Sequence, residues 1–192
     1  MNDGWKVWGR PALKVLAAVA FTGVAARFSV PVPGTEVPQS LQTLAVLFVG
    51  YLLGARLGVT ALVVYLIVGA AGVPVFADGA SGLDRLFGPT AGYLVGFVVG
   101  GGLLGVAADR GVRNPGAVFL LMVSGHLVIL LLGWAWLARS IGPGDAWSGG
   151  VAPFLGGGVW KSIAAALMVW GWTALVRDGA GDPDSVPGRE SA

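Results

Sequence analysis

One lysine lies inside a long apolar segment, where charged residues are rare. Lys161 lies inside an otherwise uncharged run from Ala152 to Val176. A lysine at this depth is expected to face a protein interior or a cavity and to need an anionic partner. That partner is either a ligand anion or a loop carboxylate such as Asp145 or Asp78. Residues 156–158 are all Gly, so no acidic residue lies within one helical turn before Lys161, which favours a ligand.

The triple Gly has a second implication. A regular helix that began at Val159, after residues 156–158, would direct free backbone N–H groups at an anion near Lys161. We therefore expect a helix to start at Val159.

Two further residues invite a catalytic interpretation. Ser124 and His126 are the types of a nucleophile and its base, but residues two apart on a helix point in different directions and no carboxylate accompanies them. His126 is therefore expected to hydrogen-bond between helices. No catalytic residue is predicted, and a chain with no Cys and one His predicts no metal site.

The elements that position these residues must lie in a lipid bilayer. The chain has 192 residues, 55% hydrophobic and 11% charged, which is about half the usual charged share. This composition excludes a soluble enzyme. The net charge of +2 comes from scattered residues, so a nucleic-acid partner is excluded too.

Apolar runs predict an all-α membrane protein with six transmembrane helices. A bilayer core of about 30 Å needs about 20 helical residues. Three uncharged runs meet this length, and Lys14 and Lys161 lie in two others. The predicted spans are approximately 11–28, 41–55, 57–77, 86–108, 114–138 and 152–176.

The second span is short and follows an unusual segment. Residues 43–55 give only about 20 Å of helix. The preceding residues, SVPVPGTEVPQSLQ, contain Pro and polar groups that cannot face lipid. Irregular backbone at membrane depth requires surrounding protein or a water-filled cavity. We therefore predict a partly re-entrant loop over 29–40 that delivers Ser40, Gln42 and Thr43 to a cavity; the alternative is a surface loop before a short tilted helix.

The basic residues predict the orientation. Eight Lys and Arg lie on the side of the termini and three on the other side, which places both termini in the cytoplasm. Residues 1–177 are predicted to form a single membrane domain, and 178–192 a disordered tail. No GxxxxGK[ST] motif occurs, so energy from ATP would have to come from another protein.

Several segments resemble the BioY family, the biotin-binding S components of energy-coupling-factor transporters. They occur in order between about Ala12 and Trp172: VPVPGTEVPQSLQTLAVLFVGYLLGARLG, YLIVGAAGVPVF, GPTAGYLVGF and PFLGGGVWK. The resemblance implies a multi-pass protein of the prokaryotic cell membrane that captures biotin from outside. It also implies a membrane T component and two ATPase subunits as partners. The chain itself would be no enzyme and would need no cofactor.

The resemblance also implies a binding site. The family motif Asp-x-x-Lys places its Lys on Lys161, but Gly158 occupies the Asp position. Biotin offers a carboxylate, two ureido N–H donors, a carbonyl and an apolar ring. The residues expected to bind it are Lys161, Gln42, Arg85, Tyr93, Thr90, Asp78 and Trp160.

Small residues on the first helix predict a contact surface. Ala18, Thr22 and Ala26 recur every fourth residue, and the resemblance implies that such a face docks to the T component. Internal helix packing is the alternative.

Two other functions stay open. One is an S component for another small carboxylated vitamin. The other is a non-transporting membrane protein or an intramembrane hydrolase.

Overall fold

The structure is a computed structural model that describes residues 4–35 and 37–179, most of them helical. The tail predicted for 178–192 lies outside these residues from 180 onward. In chain order the elements are α1 (Gly4–Arg27), β1 (Ser29–Val30), β2 (Gln39–Ser40), α2 (Gln42–Ala70), a single 3-10 turn (Ala77–Gly79), α3 (Asp84–Phe87), α4 (Ala91–Asp109), α5 (Pro115–Ile141), α6 (Pro143–Gly150) and α7 (Ala152–Gly179).

Helix α2 folds back on itself at Gly54. This residue has φ 75° and ψ 175°, a conformation that favours glycine. Nε2 of Gln42, at the start of α2, donates a 2.7 Å hydrogen bond to the hydroxyl of Tyr65, 23 residues later. A straight helix would separate these residues by about 35 Å. Helix α2 is therefore a hairpin of two halves, α2a (42–53) and α2b (55–70).

The connections between helices lie at two ends of the bundle. The long-loop end carries the connections 28–41, 71–90 and 142–151, and the short-turn end carries Gly54 and the turn 110–114. The segment 28–41 is held at the long-loop end by the antiparallel ribbon, in which Ser29 pairs with Ser40 and Val30 with Gln39. This ribbon was not predicted from the sequence.

Glycines let α2 and α4 approach to backbone contact. A Cβ added at Gly50 would lie 2.6 Å from the Cα of Gly101, and one added at Gly105 would lie 2.6 Å from the nitrogen of Ala55. Both distances are shorter than carbon and nitrogen atoms tolerate, so a larger residue at either position would push the helices apart. Small residues of this kind are the usual means of close helix packing in membranes.

The caps of α5 explain its length. The side chain of Asn114 accepts a 3.2 Å hydrogen bond from the backbone N–H of Ala117, and Pro115 occupies the first helical turn. At the other end, Gly142 has φ 85° and ends the helix. The helix runs three residues beyond the predicted span of 114–138.

Four described helices are long and apolar enough to cross a membrane by length and composition: α2, α4, α5 and α7. The helices in the structure begin or end at different residues from two of the predicted spans. The span 57–77 is helical only to Ala70, because Gly72 turns the chain with φ 100°. The span 86–108 begins as a helix only at Ala91, because α3 and the sequence Gly88-Pro89 interrupt it.

The outer surface of the bundle is apolar. Leu131 and Leu167 are each more than half exposed although they lie in the middle of long helices. Such an apolar surface is unfavourable in water and suits contact with lipid.

The small residues of α1 face inward. Ala18, Thr22 and Ala26 are 7%, 1% and 0% exposed, and the hydroxyl of Thr22 donates to the carbonyl of Ala18 within the same helix. A buried face cannot dock a partner, so the predicted docking face is corrected to internal packing. The signal was misleading because small residues serve both roles equally well.

Candidate ligand-binding site

A cavity lies at the long-loop end of the bundle, between the segment 28–41 and helices α2a, α4, α5 and α7. It has a volume of about 90 Å³ and opens to solvent on one side. Val37, Pro38, Gln39 and Ser40 line it, so the segment before α2 reaches inward as the sequence suggested. Its apolar walls are formed by Phe76, Leu94, Phe97, Ile129, Leu130 and Phe154.

Lys161 provides the cavity with a cation. Its side chain is 4% exposed, and its Nζ lies 5.8 Å from the centroid of the Trp160 ring. Among residues 11–35 and 37–175, no carboxylate pairs with it. Helix α7 begins at Ala152, so the expected helix start at Val159 is wrong. Lys161 therefore reaches the cavity from within a continuous helix rather than from a helix N-terminus.

Gln42 lines the cavity in a fixed orientation. The carbonyl of Val75 can only accept a hydrogen bond, so the Tyr65 hydroxyl, 2.6 Å away, donates to it. The Tyr65 oxygen must then accept the 2.7 Å hydrogen bond from Nε2 of Gln42. The amide is thereby held with Oε1 as its remaining acceptor. Desolvated acceptors of this kind bind N–H groups of a ligand well.

His126 joins three helices at the cavity wall. Its Nδ1 lies 3.0 Å from the carbonyl of Met122 and 3.0 Å from the Ser162 hydroxyl. Its Nε2 lies 3.2 Å from the hydroxyl of Thr43. His126 was predicted to hydrogen-bond between helices, and these contacts confirm it. The sequence did not indicate that His126 would also line the cavity, because its position in the apolar α5 shows only that it needs a partner.

Three further predicted residues line the cavity: Arg85, Thr90 and Tyr93. Arg85 comes from α3 and is exposed to solvent at the mouth. Tyr93 is 6% exposed, and its hydroxyl donates a 2.8 Å hydrogen bond to the carbonyl of Gly150. Tyr93 thus connects α4 to α6 while its ring covers part of the cavity.

Two predicted residues lie outside the lining. Asp78 is exposed and accepts a 2.5 Å hydrogen bond from the Ser29 hydroxyl, which holds the 3-10 turn against β1. Trp160 is 48% exposed on the outer surface of α7. Neighbours on a helix point about 100° apart. Lys161 faces the cavity and Trp160 faces outward, so neither Asp78 nor Trp160 belongs to the lining.

The catalytic alternative finds no support in the geometry. Ser124 is exposed, and its hydroxyl donates to the carbonyl of Leu120 in its own helix. The serine beside His126 is Ser162, whose hydroxyl donates to the carbonyl of Gly158. In the described part of the chain, His126 is hydrogen-bonded to no carboxylate, and no group of three His, Cys, Asp or Glu could hold a metal ion.

The cavity can therefore bind a small molecule with an anionic or carbonyl group, N–H donors and an apolar body. Apolar walls with a few placed polar groups are typical of such sites. Together, the bundle and its cavity define a helical membrane protein that binds a solute at one end.

Comparison with known proteins gives the family. The model of the BioY family matches residues 5–178, and the chain belongs to this family. A probable biotin transporter BioY of Pyrococcus horikoshii is 37% identical over 150 residues, 78% of this chain and 88% of the relative. The biotin transporter BioY of Rhizobium etli is 36% identical over 142 residues, 69% and 75% of the two chains. The resemblance read from the sequence motifs is confirmed.

A solved structure has the same fold. The crystal structure of the S-component for biotin from an ECF-type ABC transporter matches with a TM-score of 0.77 and 22% identity. The match covers 88% of this chain and 92% of that chain.

Proposed function

We propose that this protein captures biotin as the substrate-binding S component of an energy-coupling-factor transporter in the cell membrane. One observation carries the proposal: Lys161 is 4% exposed at the wall of a cavity and pairs with no carboxylate of the described residues. A buried cation without a partner is costly, and an anionic ligand offsets that cost. The relatives named as biotin transporters supply the identity of the ligand.

The cavity lining suits each part of biotin. Lys161 and Arg85 provide cations for the carboxylate and the ureido carbonyl, and Gln42 provides an acceptor for a ureido N–H. Tyr93, with Thr90 beside the mouth, covers the apolar ring and tail. These five residues are the proposed binding set.

We propose that the chain crosses the membrane six times, with both termini in the cytoplasm. The fold-back at Gly54 supports this count, because α2a and α2b then cross separately. The short-turn end carries Arg56, Arg110 and Arg113, whereas the long-loop end carries Arg27, Arg85 and Arg139. With the N-terminal basic residues added, the balance favours a cytoplasmic short-turn end and a cavity that opens outward.

Energy for uptake would come from partner proteins. The printed sequence contains no phosphate-binding loop motif, so ATP hydrolysis is assigned to the two ATPase subunits, coupled through a T component. The buried small-residue face of α1 is not part of this proposal.

Titration calorimetry on the detergent-purified protein tests the function. We expect biotin binding that falls roughly 100-fold in Lys161→Ala, because a charged hydrogen bond is lost. Lys14→Ala, which removes an exposed lysine from α1, is the control and should bind normally. Absence of binding by the unaltered protein, together with normal biotin uptake after deletion in an auxotroph, would refute the proposal.

One feature favours testing a second ligand class. Gly158 stands where the family motif has Asp, so the cavity lacks one polar side chain beside Lys161. An S component for another small carboxylated vitamin would be indicated if such a vitamin displaced labelled biotin at equal or lower concentration.

A further inference from the structure

The protons around His126 have one consistent arrangement. The carbonyl of Met122 can only accept, so Nδ1, 3.0 Å away, must carry a hydrogen. The Ser162 hydroxyl gives its hydrogen to the carbonyl of Gly158 at 2.8 Å and can share the Nδ1 hydrogen as a second acceptor. The ring is 5% exposed and is hydrogen-bonded to no carboxylate of the described residues, so it is neutral and carries a single hydrogen. His126 is therefore the Nδ1–H tautomer, and Nε2 is an acceptor.

This tautomer fixes the hydroxyl of Thr43. Because Nε2 of His126 has no hydrogen, the 3.2 Å contact requires Thr43 to donate. Thr43 lines the cavity, and its oxygen keeps lone pairs but no hydrogen for a ligand. Next to it, Gln42 also presents an acceptor. Two consecutive residues at the start of α2a thus offer acceptors to the same cavity.

Gly158 leaves room beside the imidazole. A Cβ built on Gly158 would lie 3.7 Å from the Cβ of His126, in ordinary van der Waals contact. A longer side chain at 158 would extend over this part of the cavity wall. With glycine there, a ligand can approach the hydroxyl of Thr43 and the ring of His126.

From this geometry we infer that Thr43 binds the ligand by accepting a hydrogen bond from a ligand N–H, and that His126 is the positioning residue that turns the Thr43 hydrogen away from the cavity. The inference rests on the proposed function and assigns the N–H side of a cyclic urea to residues 42 and 43. A ligand carbonyl at this position would find no donor on Thr43.

A substitution combined with a modified ligand tests the contact. Calorimetry would compare biotin with two analogues, each methylated on one ureido nitrogen. We expect Thr43→Val to weaken biotin binding roughly tenfold, and to change the binding of one methylated analogue less than about threefold, because that analogue lacks the hydrogen Thr43 accepts. Thr43→Ser, which keeps the hydroxyl, should restore most of the affinity.

The control is Thr60→Val in α2b, whose hydroxyl donates to the carbonyl of Arg56 in its own helix. It should leave all affinities unchanged. Equal losses for biotin and both analogues in Thr43→Val, or no loss at all, would overturn the inference. If the unaltered protein binds no biotin, the proposed function fails instead, so the two failures are distinguishable.

Nuclear magnetic resonance can identify the tautomer of His126. The sequence contains a single His, so the ¹⁵N spectrum of the untagged, histidine-labelled protein reports His126 alone. We expect one protonated nitrogen at Nδ1 and one unprotonated nitrogen at Nε2. His126→Gln, whose amide oxygen can still accept from Thr43, should bind biotin better than His126→Phe. A hydrogen on Nε2, or equal binding by these two variants, would contradict the positioning role.

Discussion

The two ends of the bundle differ in the polar groups that they leave without a partner. At the short-turn end, the carboxylate of Asp109 accepts a 2.9 Å hydrogen bond from the N–H of Ala55, and Arg113 donates to the Tyr51 hydroxyl at 3.1 Å. At the long-loop end, Lys161 has no carboxylate among the described residues and Gln42 retains a free acceptor. Polar groups that pair with the chain hold the fold together, and those left over are available to a ligand.

Helices α2 and α4 pack closely near the short-turn end. Around Gly50, Gly101 and Gly105, the helices are in backbone contact, so the short turns join a rigid core. The long connections instead form the mouth of the cavity, with Arg85 at its edge. Changes at the short-turn end should therefore alter stability, and changes at the cavity should alter binding.

Gly50→Ala should have the largest effect. The added Cβ would overlap the backbone of Gly101, which cannot move without separating α2 from α4. We expect the free energy of unfolding to fall by about 3 kcal/mol or more. Denaturant unfolding in detergent, followed by tryptophan fluorescence, measures it. Gly156→Ala in α7, where a Cβ meets nothing within 4 Å, is the matched control; an equal loss there would contradict the comparison.

Lys161→Met should separate binding from stability. Met fills a similar volume without a charge, so biotin affinity should fall roughly 10- to 100-fold. The free energy of unfolding without ligand should rise by about 1 kcal/mol, because an unpaired buried cation is removed. Calorimetry and denaturant unfolding of the same preparation measure both. A loss of stability would show that Lys161 has a partner within the fold.

Asp109→Ala should lower stability without changing ligand binding. The cap on Ala55 is lost, and the free energy of unfolding should fall by about 1 kcal/mol. Biotin affinity should not change, because Asp109 lies at the end of the bundle away from the cavity. Asp145→Ala, which removes an exposed carboxylate from α6, is the control for charge and should be neutral. Weakened binding in Asp109→Ala would show that the two ends are coupled.

The sequence predicted the helices better than their ends. Hydropathy located the long apolar runs, but it extended one span through residues 71–77. Within them, Phe76 is buried and packs edge-on against Tyr65, with ring centroids 5.6 Å apart, so its apolar side chain faces protein rather than lipid. Hydropathy does not distinguish a loop buried in protein from a helix in a membrane.

For the site, the sequence identified residues that are anomalous in their surroundings. Lys161 and Gln42 are polar in apolar runs, and both line the cavity. Trp160 was misplaced because adjacency in sequence does not mean a shared helix face. The orientation of Thr43 was not predictable, since it depends on Met122 and Ser162 from two other helices.

Tyr65→Phe should have the smallest effect on binding among the cavity substitutions. Without the hydroxyl, Gln42 loses the acceptor that fixes its amide, and the carbonyl of Val75 loses its donor. The amide can then rotate and present either N–H or oxygen to the cavity, so biotin affinity should fall roughly fivefold. Calorimetry measures this loss.

Tyr51→Phe provides the matched control at the short-turn end. Its hydroxyl also donates to a loop carbonyl, that of Val112, and accepts from a second side chain, Arg113. The two hydroxyls therefore have the same bonding pattern, and both variants should lose about 1 kcal/mol of stability. Only Tyr65→Phe should weaken biotin binding, because only Tyr65 orients a residue of the cavity. Equal affinity in the two variants would mean that the orientation of Gln42 does not contribute to ligand recognition.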